Sequence, residues 1–63
     1  MSLGAKIKNT RLRANLTRKA LAEAVEITQD GLYKIETDQR KPSFLLVCAI
    51  AKALDVPVTL FVD

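Results

Sequence analysis

Sixty-three residues with ten bases, seven acids and a net charge of +3 allow one small hydrophobic core, near the lower size limit for folding without covalent staples. A lone cysteine, Cys48, and the lack of histidine exclude an internal disulfide framework, a multi-cysteine zinc site and the usual acid–base switch, so no metal and no cofactor is expected. No run is long and apolar enough to span a bilayer and no signal peptide is visible, so the expected setting is a reducing cytoplasm and the chain is expected to be one domain, 1–63.

The spacing predicts a first helix over Leu3 to Asn15. Leu3, Ile7, Arg11 and Ala14 fall on one face of it. Arg11 is a charge on an inward stripe, and a buried guanidinium needs a carboxylate, for which Glu36 is the candidate. Asn15 ends the helix, since asparagine tolerates the left-handed backbone that a helix stop requires. Leu16 then turns inward. The charges are laid out unevenly along this stretch. Lys6, Lys8, Arg11, Arg13, Arg18 and Lys19 all precede the first acid, Glu23. Such a basic third is either a surface for a polyanion such as DNA or simply a solvated helix face.

Two short helices come next, about Thr17 to Val25 and Gln29 to Glu36, together forming a unit over about 17–36. Thr17 and Thr28 each precede an apolar-periodic segment, where a hydroxyl caps a first turn. Leu21, Ala22 and Val25 share one face, and Leu32 and Ile35 form the inward stripe of the second segment. The turn between them, Val25-Glu26-Ile27-Thr28, favours a residue with positive φ. Glu26 is poorly suited to that, so the turn is either strained or takes a different path. Asp30-Gly31 alone would signal a turn, but Leu32 and Ile35 continue the helical period. Gly31 should then cost roughly 1 kcal/mol relative to alanine. The outward face carries Gln29, Asp30, Tyr33 and Lys34, polar groups suited to reading base edges.

Thr37 to Lys41 is a polar, basic loop. Ser43 caps a fourth helix through Leu54, on which Phe44, Val47, Ile50, Ala51 and Leu54 form the inward face. Leu45, Leu46 and Ala49 lie partly off that face, so the helix is either central or carries a second buried contact. Asp55 closes it. Pro57 stands where a short last helix, Val58 to Val62, could open, although VPVTLFV is equally strand-like in composition.

The combination of Ile7, Arg11, Leu16-Thr17, Leu21-Ala22, Ile27-Thr28, Leu32, Ile35-Glu36, Pro42-Ser43, Ile50 to Leu54 and Val56 resembles the lambda repressor-like, Cro/cI (XRE) DNA-binding domains. Repressors of that type are standard worked examples of helix-turn-helix docking. The resemblance covers nearly the whole chain. It implies an all-α, five-helix bundle whose third helix enters the major groove, and it favours helix over strand for the last segment. It further implies a DNA-backbone contact by Arg18, a phosphate within reach of Thr28, and phosphate contacts by Arg40 and Lys41. Gln29, Asp30 and Lys34 match base-reading positions, with Gly31 and Tyr33 at their margins. Arg11 and Glu36 match an internal ion pair. Glu26, Asp38 and Asp55 stand where such domains commonly have glycine.

Each proposed contact has a plainer alternative. Gln29 either binds adenine through N6 and N7 or is simply exposed, and Lys34 meets guanine or phosphate. Asp30 either accepts from cytosine N4 or complements the helix dipole and pairs with Lys34, the reading favoured here. Tyr33 meets a thymine methyl or a phosphate, or edges the core. Gly31 admits the backbone to the groove or is merely tolerated. So small a reader covers few base pairs, so useful specificity implies a homodimer on double-stranded DNA. By the resemblance its interface lies around Val56, Pro57, Val58 and Phe61, and Leu45, Leu46 and Ala49 could extend it. The expected function is a transcriptional regulator, most simply a repressor associated with the nucleoid. The alternative is a protein-interaction module such as an antitoxin. Enzymatic chemistry, a small-molecule substrate and a membrane partner are not expected.

Overall fold

The computed structural model describes residues 1–62. Four α-helices follow one another, α1 (Leu3–Arg13), α2 (Arg18–Ala24), α3 (Gln29–Glu36) and α4 (Phe44–Ala53), and a 3-10 turn over Val58–Leu60 follows them. Every α-helix starts at a hydroxyl. The Oγ atoms of Ser2, Thr17, Thr28 and Ser43 accept the third helical N–H, from Ala5, Ala20, Gly31 and Leu46, at 2.9–3.1 Å. Each bond satisfies a donor that the first turn leaves without an intrahelical partner.

Every α-helix also ends the same way, without a glycine. Asn15, Glu26, Asp38 and Asp55 have φ of 58°, 60°, 61° and 58°. At each, the next N–H reaches back five residues: Leu16 to Arg11, Ile27 to Ala22, Gln39 to Lys34 and Val56 to Ala51, at 2.8–3.2 Å. This is the Schellman arrangement, which turns the chain sharply and closes the last carbonyls. Leu16, Ile27 and Val56, the residues just past three of these stops, pack against the core. Their burial holds the left-handed residue in place. The turn at Glu26 is therefore the strained one. A left-handed non-glycine residue costs roughly 1–2 kcal/mol, part of which glycine gives back as unfolded-state entropy. Glu26→Gly should accordingly raise stability by about 0.5 kcal/mol net, and Asn15→Gly by less, since asparagine tolerates this backbone. Urea midpoints of the two variants check the ordering.

The core is built from Ile7, Leu21, Leu32, Ile35 and Ile50, all fully buried, with Ala22, Val47, Ala51, Leu54 and Phe61 around them. α3 packs against α2 and α1, while α4 packs against α2 and the 3-10 turn. The architecture is the expected all-helical bundle, but among the described residues it has four α-helices and not five. The last segment, expected as a helix over Val58 to Val62, makes only the 3-10 bonds Leu60 N–H to Pro57 O and Phe61 N–H to Val58 O. Phe61 then enters the core at 5% exposure and ends the turn. Two other positions differ from expectation. Ala14 is exposed because α1 stops at Arg13 and leaves Ala14 as its cap. Phe44, the first residue of α4, is 62% exposed. Helical side chains lean toward the N-terminus, so at this position the ring projects past the end of the bundle.

Candidate nucleic-acid interface

α2 and α3 meet through Leu21 and Ala22 on one side and Leu32 and Ile35 on the other, all buried. That seam leaves Gln29, Asp30, Tyr33 and Lys34 exposed along the opposite face of α3. The helix is fixed at both ends, by the Thr28 cap and by the stop at Asp38.

Beneath the exposed face lies a buried ion cluster. Arg11 Nε and Nη2 donate to Glu36 Oε2 and Oε1 at 2.7 and 3.1 Å. Arg11 Nη1 donates to the Leu16 carbonyl at 2.9 Å. Arg18 Nε donates to Glu36 Oε1 at 3.3 Å. The Glu36 side chain is 1% exposed, so its charge is removed from water and held by two guanidiniums from two other helices. Among the described residues no buried side-chain nitrogen or oxygen lacks a partner. The structure thus brings Arg11 and Glu36 together and adds Arg18, whose place in the cluster sequence reasoning missed.

Arg18 has a second neighbour. Its guanidinium carbon lies 5.1 Å from the centroid of the Tyr33 ring, within cation–π range. On the outer face Lys34 Nζ sits 3.2 Å from Asp30 Oδ2, one helical turn away. Asp30 also adds an acid to the first turn, where the helix dipole favours it. The loop after α3 folds back over its end. Gln39 and Arg40 N–H groups both donate to the Lys34 carbonyl, which leaves Arg40 and Lys41 exposed beside the helix.

Gly31 is buried, so it does not line the outer face. A Cβ there would lie 3.1 Å from Thr28 Oγ1 and 3.9 Å from Arg40 Nη1, which shows that Arg40 lies over the first turn of α3. Asp38, an acid just past the end of α3, is turned to a structural use. Its Oδ1 accepts the Gly4 N–H at 3.1 Å and places a carboxylate at the N-terminus of α1. Gly4 was missed as well. A Cβ on it would meet the Ile35 and Glu36 carbonyl oxygens and Asp38 Oδ1 at 2.4–2.7 Å. The signal was available, since Gly4 continues the inward stripe of Ile7 and Arg11.

Of the four positions expected at a dimer interface, Val56 and Val58 are half-buried and Pro57 is exposed. Phe61 is different: its ring is core. Its exposed neighbour Leu60 instead borders a shallow hollow shared with Thr10, Arg13, Ala14, Leu54 and Val56. On α4, Leu45 is 80% exposed, while Leu46 and Ala49 are half-buried. Among the described residues no cluster of acids or cysteine is placed to hold a metal ion. Nor, among these residues, is any helix long and apolar enough to cross a membrane.

A helix-turn-helix family model matches residues 7–61. No curated protein matches the chain.

Proposed function

Because the chain belongs to the Cro/cI-like (XRE) helix-turn-helix family of DNA-binding regulators, a regulatory and not an enzymatic family, we propose that residues 1–63 form one DNA-reading unit that represses transcription as a homodimer. The observation that carries this reading is the outer face of α3. Gln29, Tyr33 and Lys34 are exposed together on a helix that is capped, stopped and backed by a buried ion cluster. A rigid helix with polar side chains on its free face suits the major groove.

In this reading Gln29 pairs with adenine through N6 and N7, and Lys34 reaches guanine or a neighbouring phosphate. Asp30 holds Lys34 and does not itself read a base, in keeping with their 3.2 Å approach. Thr28 and Arg40, over the first turn of α3, and Lys41, in the loop after it, face phosphates. Two copies read a two-fold site with half-sites about one helical turn apart. They meet through Val56, Pro57, Val58 and Leu60, with Leu45, Leu46 and Ala49 as the further apolar surface. The protein works in the cytoplasm, on the nucleoid.

The test is selection of sites from a random duplex pool, followed by titration of the winner at two salt concentrations. The expected result is a near-palindrome bound with a steep salt slope. Gln29→Ala should lose about 1–3 kcal/mol of discrimination at one base pair of each half-site. Lys41→Ala should weaken all duplexes alike and lower the slope by about 0.9 per protomer. An absence of enrichment, with weak binding even at low salt, would favour the protein-interaction module instead. The exposed carboxylate of Glu26, in the turn ahead of α3, is the feature consistent with that outcome.

A further inference from the structure

We infer that Arg18 is a positioning residue for Tyr33, not a phosphate contact, and that the ring it holds reads the 5-methyl group of a pyrimidine. The inference rests on the DNA-reading role of α3 proposed above. A phosphate-seeking arginine at a helix start would extend into solvent. Arg18 instead lies between two groups of α3. Its Nε donates to Glu36 Oε1 at 3.3 Å, and its guanidinium carbon stands 5.1 Å from the Tyr33 centroid. Glu36 is itself buried and held from the other side by Arg11 at 2.7 Å. The side chain of Arg18 is only 34% exposed. A planar guanidinium anchored through its Nε keeps its carbon within cation–π range of the ring, an arrangement a lysine ammonium does not reproduce.

The consequence falls on the outer face of α3. Tyr33 and Gln29 are one helical turn apart and share a side of the helix. With Arg18 behind it, the Tyr33 ring loses rotational freedom and stands as a fixed apolar wall beside the amide of Gln29. The major groove offers one apolar feature for such a wall, the C5 methyl of thymine. The chemistry on offer is therefore an adenine for Gln29 next to a thymine, or another 5-methylated pyrimidine, for Tyr33. The buried carboxylate of Glu36 serves the fold through Arg11 and the specificity through Arg18.

The experiment starts from the duplex that the wild-type chain enriches. Each thymine of the half-site is replaced in turn by deoxyuridine, which removes only the methyl group. One such replacement should weaken wild-type binding roughly fivefold, a factor typical of a cation-supported aromatic contact. Arg18→Ala and Arg18→Lys should both erase that methyl preference, and Tyr33→Phe should keep it. In a Tyr33→Ala background, Arg18→Ala should change nothing further at that position, because the two act as one unit. Arg18→Ala leaves Arg11 on Glu36, and an unchanged helical circular dichroism signal confirms that the variant is folded. If Arg18→Lys kept the methyl preference and Arg18→Ala weakened all duplexes alike, Arg18 would be a phosphate contact and the inference would fall while DNA reading stood. If the wild-type chain enriched no duplex, both would fall together.

Discussion

Glu36→Gln should remove most of the stability of this protein. The substitution keeps the shape of the side chain and removes its charge. Arg11 remains, with its side chain 6% exposed and a cation that has lost its counter-charge. Removing one partner of a buried ion pair costs about 3–5 kcal/mol, because the remaining charge is neither paired nor hydrated. A chain of this length has a total stability of about 3–9 kcal/mol at ordinary values per residue. The urea midpoint should fall accordingly, and a fraction of molecules should be unfolded in buffer. Arg18 adds less to the loss, since a third of its side chain already meets water and it can turn outward. The informative control is Arg11→Met combined with Glu36→Leu. With both charges gone nothing is stranded, and apolar replacement of a buried pair is often neutral. The double variant gives up the bond from Arg11 to the Leu16 carbonyl, worth about 1 kcal/mol. It should be clearly more stable than Glu36→Gln alone. A Glu36→Gln midpoint within experimental error of wild type would show that the cluster contributes nothing to the fold.

Gly4→Ala should be the next most damaging change, against the trend of helix propensity. In an exposed helix it would stabilise by about 1 kcal/mol. Here the new methyl group would lie 2.4 Å from the Ile35 carbonyl oxygen and 2.7 Å from that of Glu36. Two of the three obstructing atoms are backbone, so neither can rotate away. α1 must move off the C-terminal end of α3, taking with it the bond from Gly4 N–H to Asp38 Oδ1. Overpacking of this kind costs typically 1–3 kcal/mol, so a net loss of about 2 kcal/mol is expected in a urea titration. Asp38→Gly, which suits the left-handed backbone at this position (φ 61°), separates the two effects. It removes the carboxylate at the start of α1 and leaves the close approach intact, so it should cost about 1 kcal/mol or less. If Gly4→Ala proved neutral, α1 would have to be able to slide along α3 without penalty.

Both sites connect α1 to the C-terminal end of α3, and both join the stability of the bundle to the placement of that helix. Glu36 and Asp38 lie within three residues of one another at the end of α3, and each is held from another element. Variants that loosen these contacts should weaken DNA reading even where every exposed side chain of α3 is retained. A mobile helix loses the geometric precision that bidentate base contacts need.

Much of the fold was legible because its signals are local or because the chemistry leaves one solution. The Thr17, Thr28 and Ser43 caps are set by hydroxyls placed one residue ahead of an apolar period, and no distant residue is needed to form them. Asn15 marks a stop through its own backbone preference. The partner of Arg11 could be reasoned out because a charge on an apolar stripe requires a counter-charge. The outer face of α3 follows from its 3.6-residue period. What only the tertiary structure decided is where distant segments meet. Phe44 lies on the inward stripe by periodicity, but a stripe does not record that the bundle ends before its first residue. The resemblance places Phe61 at a dimer interface, and only the fold of the 3-10 turn against α4 shows its ring in the core. Asp38 and Gly4 are 34 residues apart, and Arg18 meets Glu36 and Tyr33 only because α2 crosses α3 at that point. Sequence alone determined the four α-helices and the residue types each presents, because caps, stops and periods act over a few residues. Tertiary structure decided which charges, rings and backbones come together, because such contacts join segments whose spacing along the chain bears no relation to their distance in space.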